Sequence, residues 1–149
     1  MEKQPQTLGE SLIMSTLIES KKVTVGTTNT NLFDFAMDLS NFEKLLPEGK
    51  IDNFKSDQDS CSFEIKGIAT MGLKHVENER PNRILLASKD SPFPFTLEIL
   101  IQEDSDGKTI AHQVSNLDIN PFMKMMVQKP LKNLFDHIAD RLVIEFEEA

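Results

Sequence analysis

The three histidines are the side chains of this sequence best suited to proton transfer or metal binding at neutral pH. They are His75, His112 and His137, and no two of them stand at a metal-ligand spacing or form a His-Glu-x-x-His pair. The sequence therefore predicts no metal site and no catalytic base. His112 falls inside a predicted strand, so it is a candidate polar group in an internal cavity if its face of the strand turns inward.

The single cysteine, Cys61, excludes an intramolecular disulfide and any metal site built from several cysteines. It alternates with Phe63 and Ile65 on the apolar face of a predicted strand, where a thiol behaves as a small hydrophobic group. We therefore expect a buried, unreactive thiol. The residue types predict no cofactor and no catalytic residue.

The charge balance limits the classes of partner. Sixteen basic and twenty-four acidic residues give the 149-residue chain a net charge of −8, which repels phosphate backbones and predicts no nucleic-acid partner. No apolar run approaches the roughly 20 residues that span a bilayer, so integral membrane association is not expected. The N-terminus does not have the pattern of a secretory signal, and together with the lone cysteine this predicts a cytoplasmic protein. Nothing in the sequence identifies a protein partner.

Local patterns divide the chain into a tail and one domain. Residues 1–14 contain Pro5 and Gly9 and few apolar side chains, which predicts a loosely ordered tail. Residues 15–149 have the length and apolar content of one domain with one core. The β-branched side chains of residues 15–25 predict its first strand.

Two short helices and a series of strands are predicted next. Residues 29–47 show helical spacing in two parts, and Ser40 with Glu43 predicts a capping box for the second. From residue 51 to residue 119 the apolar residues recur with a period of two, and turns join the strands, which indicates an antiparallel sheet. The alternation changes face within residues 109–119, so we expect a β-bulge there.

The final element is a long amphipathic helix over about residues 121–146. Pro121 favours its first turn, whereas Pro130 interrupts its middle. Three methionines precede Pro130, and their flexible side chains predict a soft wall or gate beside a pocket. One stripe of the helix is apolar and is expected to face the core: Leu131, Leu134, Phe135, Ile138, Leu142 and Phe146.

The order of one strand, two short helices, six strands and one long helix resembles the START-like superfamily. The segment Asp38-Leu-Ser-Asn-Phe-Glu-Lys-Leu-Leu-Pro47 and the Asn120-Pro121 step into the last helix carry the resemblance. Within that superfamily the chain is similar to the bacterial polyketide cyclase/dehydrase and lipid-transport (SRPBCC) group, which shares the birch-pollen-allergen fold. The resemblance implies an α+β helix-grip fold, in which a strongly bent antiparallel sheet of about seven strands wraps around the long helix. It also implies an apolar cavity between them.

A small hydrophobic ligand is the partner that this resemblance implies. Lipids, quinones and polyketides are the ligand classes of such proteins, and the implied activity is binding, with transport as an extension. The side chains expected to line the cavity are Phe33, Met37, Phe63, Met71, Leu73, Leu86, Phe95, Leu97, Ile99, Met126, Leu134, Phe135 and Ile138.

Two other functions fit the same fold. A polyketide cyclase or dehydratase would need acid or base groups that converge inside the cavity. A protein-interaction module would instead have a filled core and would use its acidic surface or the methionine-rich start of the last helix. An open apolar cavity favours binding, inward polar groups favour catalysis, and a filled core favours the interaction module.

Overall fold

Eight strands form one curled antiparallel sheet in the computed structural model, which describes residues 14–147. The order across the sheet is β1-β8-β7-β6-β5-β4-β3, and β2 pairs with β8 beyond the end of β1. The predicted tail lies outside the described residues, apart from Met14, which begins β1. The strands are β1 (Met14–Glu19), β2 (Val23–Val25), β3 (Ile51–Ser56), β4 (Ser60–Ile65), β5 (Ala69–Glu79), β6 (Arg83–Ser88), β7 (Phe95–Glu103) and β8 (Thr109–Ile119).

The first predicted strand, residues 15–25, is divided in two because one extra residue interrupts its pairing with β8. Glu19 pairs with Val114, whereas Val23 pairs with Ala111, so four steps along one strand match three along the other. Strand β8 itself pairs with β7 without a register shift. The bulge predicted inside β8 is therefore wrong, since the extra residue lies in its partner.

Buried polar side chains on the inner face of β8 explain that error. Thr109, Gln113 and Ser115 point inward, so the apolar Ile110 and Val114 face outward. The fold tolerates the inward hydroxyls because each has an acceptor. The hydroxyl of Thr109 donates to the carbonyl of residue 27 at 2.7 Å, and that of Ser115 donates to the carbonyl of residue 96 at 2.8 Å.

Two short helices follow β2, as predicted: α1 (Asn29–Met37) and a 3-10 helix (Leu39–Leu45). Thr28 caps α1, because its Oγ1 accepts a hydrogen bond from the backbone N–H of Asn31 at 3.1 Å. The second cap is Asp38, whose carboxylate accepts from the N–H of Ser40 at 3.0 Å. The predicted capping box at Ser40 is therefore displaced by two residues, since Ser40 already lies inside the helix.

The long helix, α2 (Pro121–Glu145), packs against β1, β2, β8 and the 3-10 helix. Asn120 caps it, with Oδ1 accepting from the N–H of Met123 at 2.8 Å, and Pro121 occupies the first turn as predicted. Pro130 lies within the helix and cannot donate to the carbonyl of Met126. Five of the six residues of the predicted stripe are buried, namely Leu131, Leu134, Phe135, Ile138 and Leu142, and Val127 and Ala139 are buried with them. The sixth, Phe146, is half-buried just after the helix.

Neither α1 nor α2, nor any other helix within residues 14–147, combines the length and the apolar character that crossing a bilayer requires.

Candidate functional site

A small apolar void lies between the sheet and α2. The helix contributes four residues at the i, i+3, i+4, i+7 spacing, which places them on one side of α2. Strands β4, β5, β7 and β8 contribute inward-facing residues at a spacing of two, and the 3-10 helix contributes one phenylalanine. The lining consists of Phe42, Phe63, Ile65, Met71, Leu73, Phe95, Leu97, Ser115, Leu117, Leu131, Leu134, Phe135 and Ile138.

The void is nearly filled and has almost no polar character. Its volume is about 20 Å³, whereas holding a single water molecule takes about 10–15 Å³. Ser115 is the one polar residue in the lining, and its hydroxyl is already donated to the carbonyl of residue 96. None of the lining side chains is titratable, so the lining offers no general acid or base.

Eight of the thirteen side chains predicted from the sequence line this void. The other five are elsewhere. Phe33, Leu86 and Ile99 are buried in other parts of the core, and Met37 is half-buried at the end of α1. The eight that line the void are Phe63, Met71, Leu73, Phe95, Leu97, Leu134, Phe135 and Ile138.

Met126, the fifth, is exposed and does not line the void. It is 44% exposed, beside Phe122 at 69% and Met125 at 83%. These three residues recur at i, i+3, i+4 on the side of α2 opposite Leu131, because about 1.4 helical turns separate Met126 from Leu131. This side of the start of α2 is thus an outer surface, whereas Met123 is half-buried against the core. The prediction that Met126 is a cavity wall is wrong.

His112 is on the outer face of β8, so its prediction as a cavity polar group is also wrong. The inner face holds the odd-numbered residues of this strand, and His112 is half-buried on the other face. Burial, and then the nearby Lys22 cation, lower the pKa of His112. Its neighbour Gln113 takes the inward position and is 1% exposed.

Gln113 connects the sheet to the long helix. Its Nε2 donates to the backbone carbonyl of Phe135 at 3.0 Å, and its backbone N–H donates to the hydroxyl of Ser20 at 2.9 Å. The amide oxygen Oε1 is buried and has no hydrogen-bond partner among residues 14–147. In the sequence, Gln113 is an even number of residues from Leu117 and Ile119, which indicates that all three lie on the same face of the strand.

Five of the lining residues are absent from the set that the sequence predicts. Ile65 continues the alternation of Phe63, and Leu131 belongs to the same helical stripe as Leu134, so the patterns contained both. The other three depend on the face of β8 and on the path of the 3-10 helix, namely Phe42, Ser115 and Leu117.

A surface groove of about 580 Å³ lies next to the void. Ile65 and Leu134 line both spaces and therefore form the partition between them. The groove runs between the middle of α2, the residues before β3 and the turn after β4. Its lining is Pro47, Gly49, Lys50, Ile51, Ile65, Lys66, Ile68, Pro130, Asn133, Leu134 and His137.

The other two histidines have different surroundings. His75 makes a 2.7 Å hydrogen bond between its Nε2 and the carbonyl of Met37, which ties β5 to the end of α1. His137 lines the groove, where burial, and then the Arg141 and Lys50 cations, lower its pKa. Within residues 14–147 no three His, Cys, Asp or Glu side chains are grouped so that they could hold a metal ion.

Solved structures with this arrangement identify the fold. A START superfamily protein from Mycobacterium smegmatis superposes with a TM-score of 0.67 at 12% identity, over 87% of this chain and 96% of that protein. The chain has the START-like fold. This result confirms the predicted helix-grip architecture, with eight strands where about seven were expected.

Two other similar structures come from different sources. The protein XoxI from Bacillus cereus matches at 11% identity with a TM-score of 0.64, over 89% of this chain and 94% of that one. Norcoclaurine synthase from Thalictrum flavum, in complex with dopamine and hydroxybenzaldehyde, matches at 12% identity with a TM-score of 0.64, over 95% and 94%. No family model matches the START-like chain, and no curated protein sequence matches it.

The buried thiol of this START-like domain is expected to be unreactive. Cys61 is 4% exposed, and burial, followed by the Asp57 charge, raises the pKa of its thiol to about 12. Because the thiolate is the reactive species, modification by a disulfide reagent at pH 8 should be at least ~100-fold slower in the folded chain than in denaturant. The absorbance of the released thiol measures this rate.

A matched control places an exposed thiol on the neighbouring strand. Thr70→Cys in a Cys61→Ala background should react at about the rate of the denatured chain, because position 70 is exposed. Equal rates for Cys61 and this control thiol would contradict the burial of Cys61.

Proposed function

We propose that this START-like domain binds a small apolar molecule between its sheet and α2, and that the molecule enters through the neighbouring groove. The observation that carries the proposal is the shared partition. An apolar void and a groove of about 580 Å³ have Ile65 and Leu134 in common. Displacement of these two side chains joins the spaces. Transport of the bound molecule is a natural extension of such binding.

The nearly filled void by itself favours the interaction module, so the binding proposal requires the interior to expand when a ligand enters. A void of about 20 Å³ is far smaller than the roughly 300 Å³ of an ordinary ligand pocket. Pro130 lies beside the groove and lacks an N–H, so the helix backbone is weakened one turn before Leu134. This arrangement supports movement of α2 at the partition when a ligand enters.

The energetics of apolar burial favour moderate affinity. Removing about 400 Å² of apolar ligand surface from water contributes about 10 kcal/mol before association costs. An association cost of about 4 kcal/mol leaves about 6 kcal/mol, so we expect a dissociation constant of about 40 μM.

The composition of the lining supports binding over the cyclase or dehydratase alternative. Acid–base catalysis needs a titratable group within hydrogen-bond reach of the substrate, and the lining of the void has none.

Norcoclaurine synthase shows that a protein with a similar fold holds dopamine and hydroxybenzaldehyde. That likeness supports the capacity of the fold to hold small molecules.

Titration with the neutral dye Nile red tests the proposal. The dye should bind with an increase in fluorescence and should shift the amide NMR signals of Ile65 and Leu134 in the wild-type chain. Leu134→Ala removes half of the partition, so the dye should bind at least about threefold more tightly to this variant.

The matched control is Phe122→Ala, on the same helix but 69% exposed. This change should leave dye binding unaltered. Loss of binding in Phe122→Ala, with no effect of Leu134→Ala and no shift at Ile65, would show adhesion to the outer surface of α2. That result would reject the cavity and would favour the interaction module with a filled core.

A further inference from the structure

Two lysines stand side by side at the groove. Ile51 pairs with Ile65 at the end of the β3–β4 ladder, and Lys50 and Lys66 are the turn residues just beyond this last pair. The backbone N–H of Lys66 donates to the carbonyl of Lys50 at 3.0 Å, which fixes the two residues side by side. Both residues are exposed and both line the groove.

Like charges on two adjacent backbone segments repel each other. Lys66 has a partial counter-ion in Asp52, at 3.7 Å, in a pair whose side chains are about half exposed. Lys50 has no carboxylate oxygen within 4.0 Å among residues 14–147. The lining of the groove contains both lysines and no acidic residue, although the whole chain carries a net charge of −8. The groove is thus a local cationic site on an acidic protein.

The helix side of the groove adds hydrogen-bond donors. Asn133 and His137 of α2 line it opposite the lysine pair. These two side chains and the two lysines line the groove, which the Ile65–Leu134 partition separates from the void. A ligand that enters through the groove therefore meets cationic and polar groups first and apolar groups beyond the partition.

We propose that the ligand of this domain is a long-chain carboxylate, with its head between Lys50 and Lys66 and its chain directed past Ile65 and Leu134. This proposal rests on the proposed function and specifies its ligand class. A carboxylate between the lysines reduces their repulsion, and the N–H groups of Asn133 and His137 can donate to its oxygens. The apolar chain then occupies the space between sheet and helix.

Displacement of Nile red by three molecules with the same ten-carbon chain tests the head group. Decanoate should displace the dye at about fivefold lower concentration than decanol, because two exposed ion pairs together contribute about 1 kcal/mol. Decylamine should be weaker than decanol, since its cation meets the lysines. The preference for decanoate should shrink at high salt, because exposed charges are screened.

The double variant Lys50→Gln/Lys66→Gln should lose the preference for decanoate and keep its affinity for decanol. Lys124→Gln/Lys129→Gln, which removes two lysines of α2 outside the groove, should keep the preference. Equal binding of decanoate and decanol to the wild type, or a preference unchanged in Lys50→Gln/Lys66→Gln, overturns the carboxylate proposal and leaves the binding function intact. Failure of all three molecules and of the dye to bind overturns both.

Discussion

Truncating Phe135 to alanine should lower the free energy of unfolding by about 3–4 kcal/mol, because the ring is buried between α2 and the sheet. Phe135 is 6% exposed, and the void that it lines has a volume of only about 20 Å³, so the ring is packed on nearly all sides. Its removal leaves a cavity that the neighbouring side chains fill only in part. The hydrogen bond from Gln113 goes to the backbone carbonyl of Phe135 and persists in the variant. The loss therefore reports the ring alone, and urea denaturation at equilibrium measures it.

Phe122→Ala is the matched control for this measurement. It removes the same atoms from the same helix, but Phe122 is 69% exposed, and its loss should change the stability by no more than about 0.5 kcal/mol. If Phe135→Ala cost less than about 1 kcal/mol, the packing of this face of α2 against the sheet would be incorrect.

Gly72→Ala should destabilise the domain by about 3 kcal/mol, because no space exists for a β-carbon at this position. A methyl group there would lie 2.1 Å from the carbonyl oxygen of Lys89 and 3.1 Å from its carbon. That backbone cannot easily move aside, since the N–H of Lys89 donates to the carbonyl of Gly72 at 2.9 Å. The N–H of Gly72 in turn donates to the hydroxyl of Ser91 at 2.9 Å.

Thr70→Ala is the control on the same face of β5. Position 70 is exposed, so the substitution should cost less than about 1 kcal/mol, mainly through β-propensity. Comparison of the two variants by thermal and urea denaturation separates the steric clash from a general weakening of the strand. A cost of Gly72→Ala as small as that of the control would mean that residues 89–91 do not pack closely on β5.

The amino-acid sequence by itself determined the elements and most of the buried surface of the long helix. The stripe that includes Leu131, Leu134 and Phe135 follows from a period of 3.6, and no tertiary contact was needed to recognise it. The Asn120-Pro121 start of α2 follows from capping chemistry. Alternation placed Phe63 on the inner face of β4 for the same local reason.

The hydrophobic pattern predicts the wrong surface for residues whose burial depends on a partner or on their exact position. Gln113 and Ser115 are polar, so a hydrophobic pattern assigns them to the surface, but acceptors on Phe135 and on residue 96 allow them to be buried. For these two residues the decisive partner is far away in the sequence. Met126 is apolar, which predicts a cavity wall, yet its angular position on α2 turns it outward.

The candidate site itself is a product of the tertiary structure. Ile65 and Leu134 are 69 residues apart in the chain and become one partition because the fold places both beside the void and the groove. Lys50 and Lys66 are adjacent because they follow the last pair of the β3–β4 register, Ile51 with Ile65, and a shift of one residue would separate them. The register and the position of the helix depend on the fit of the whole core, whereas periodicity reports each segment alone. The sequence therefore determined which residues are apolar or charged, and the packing of the sheet against α2 decided which of them meet.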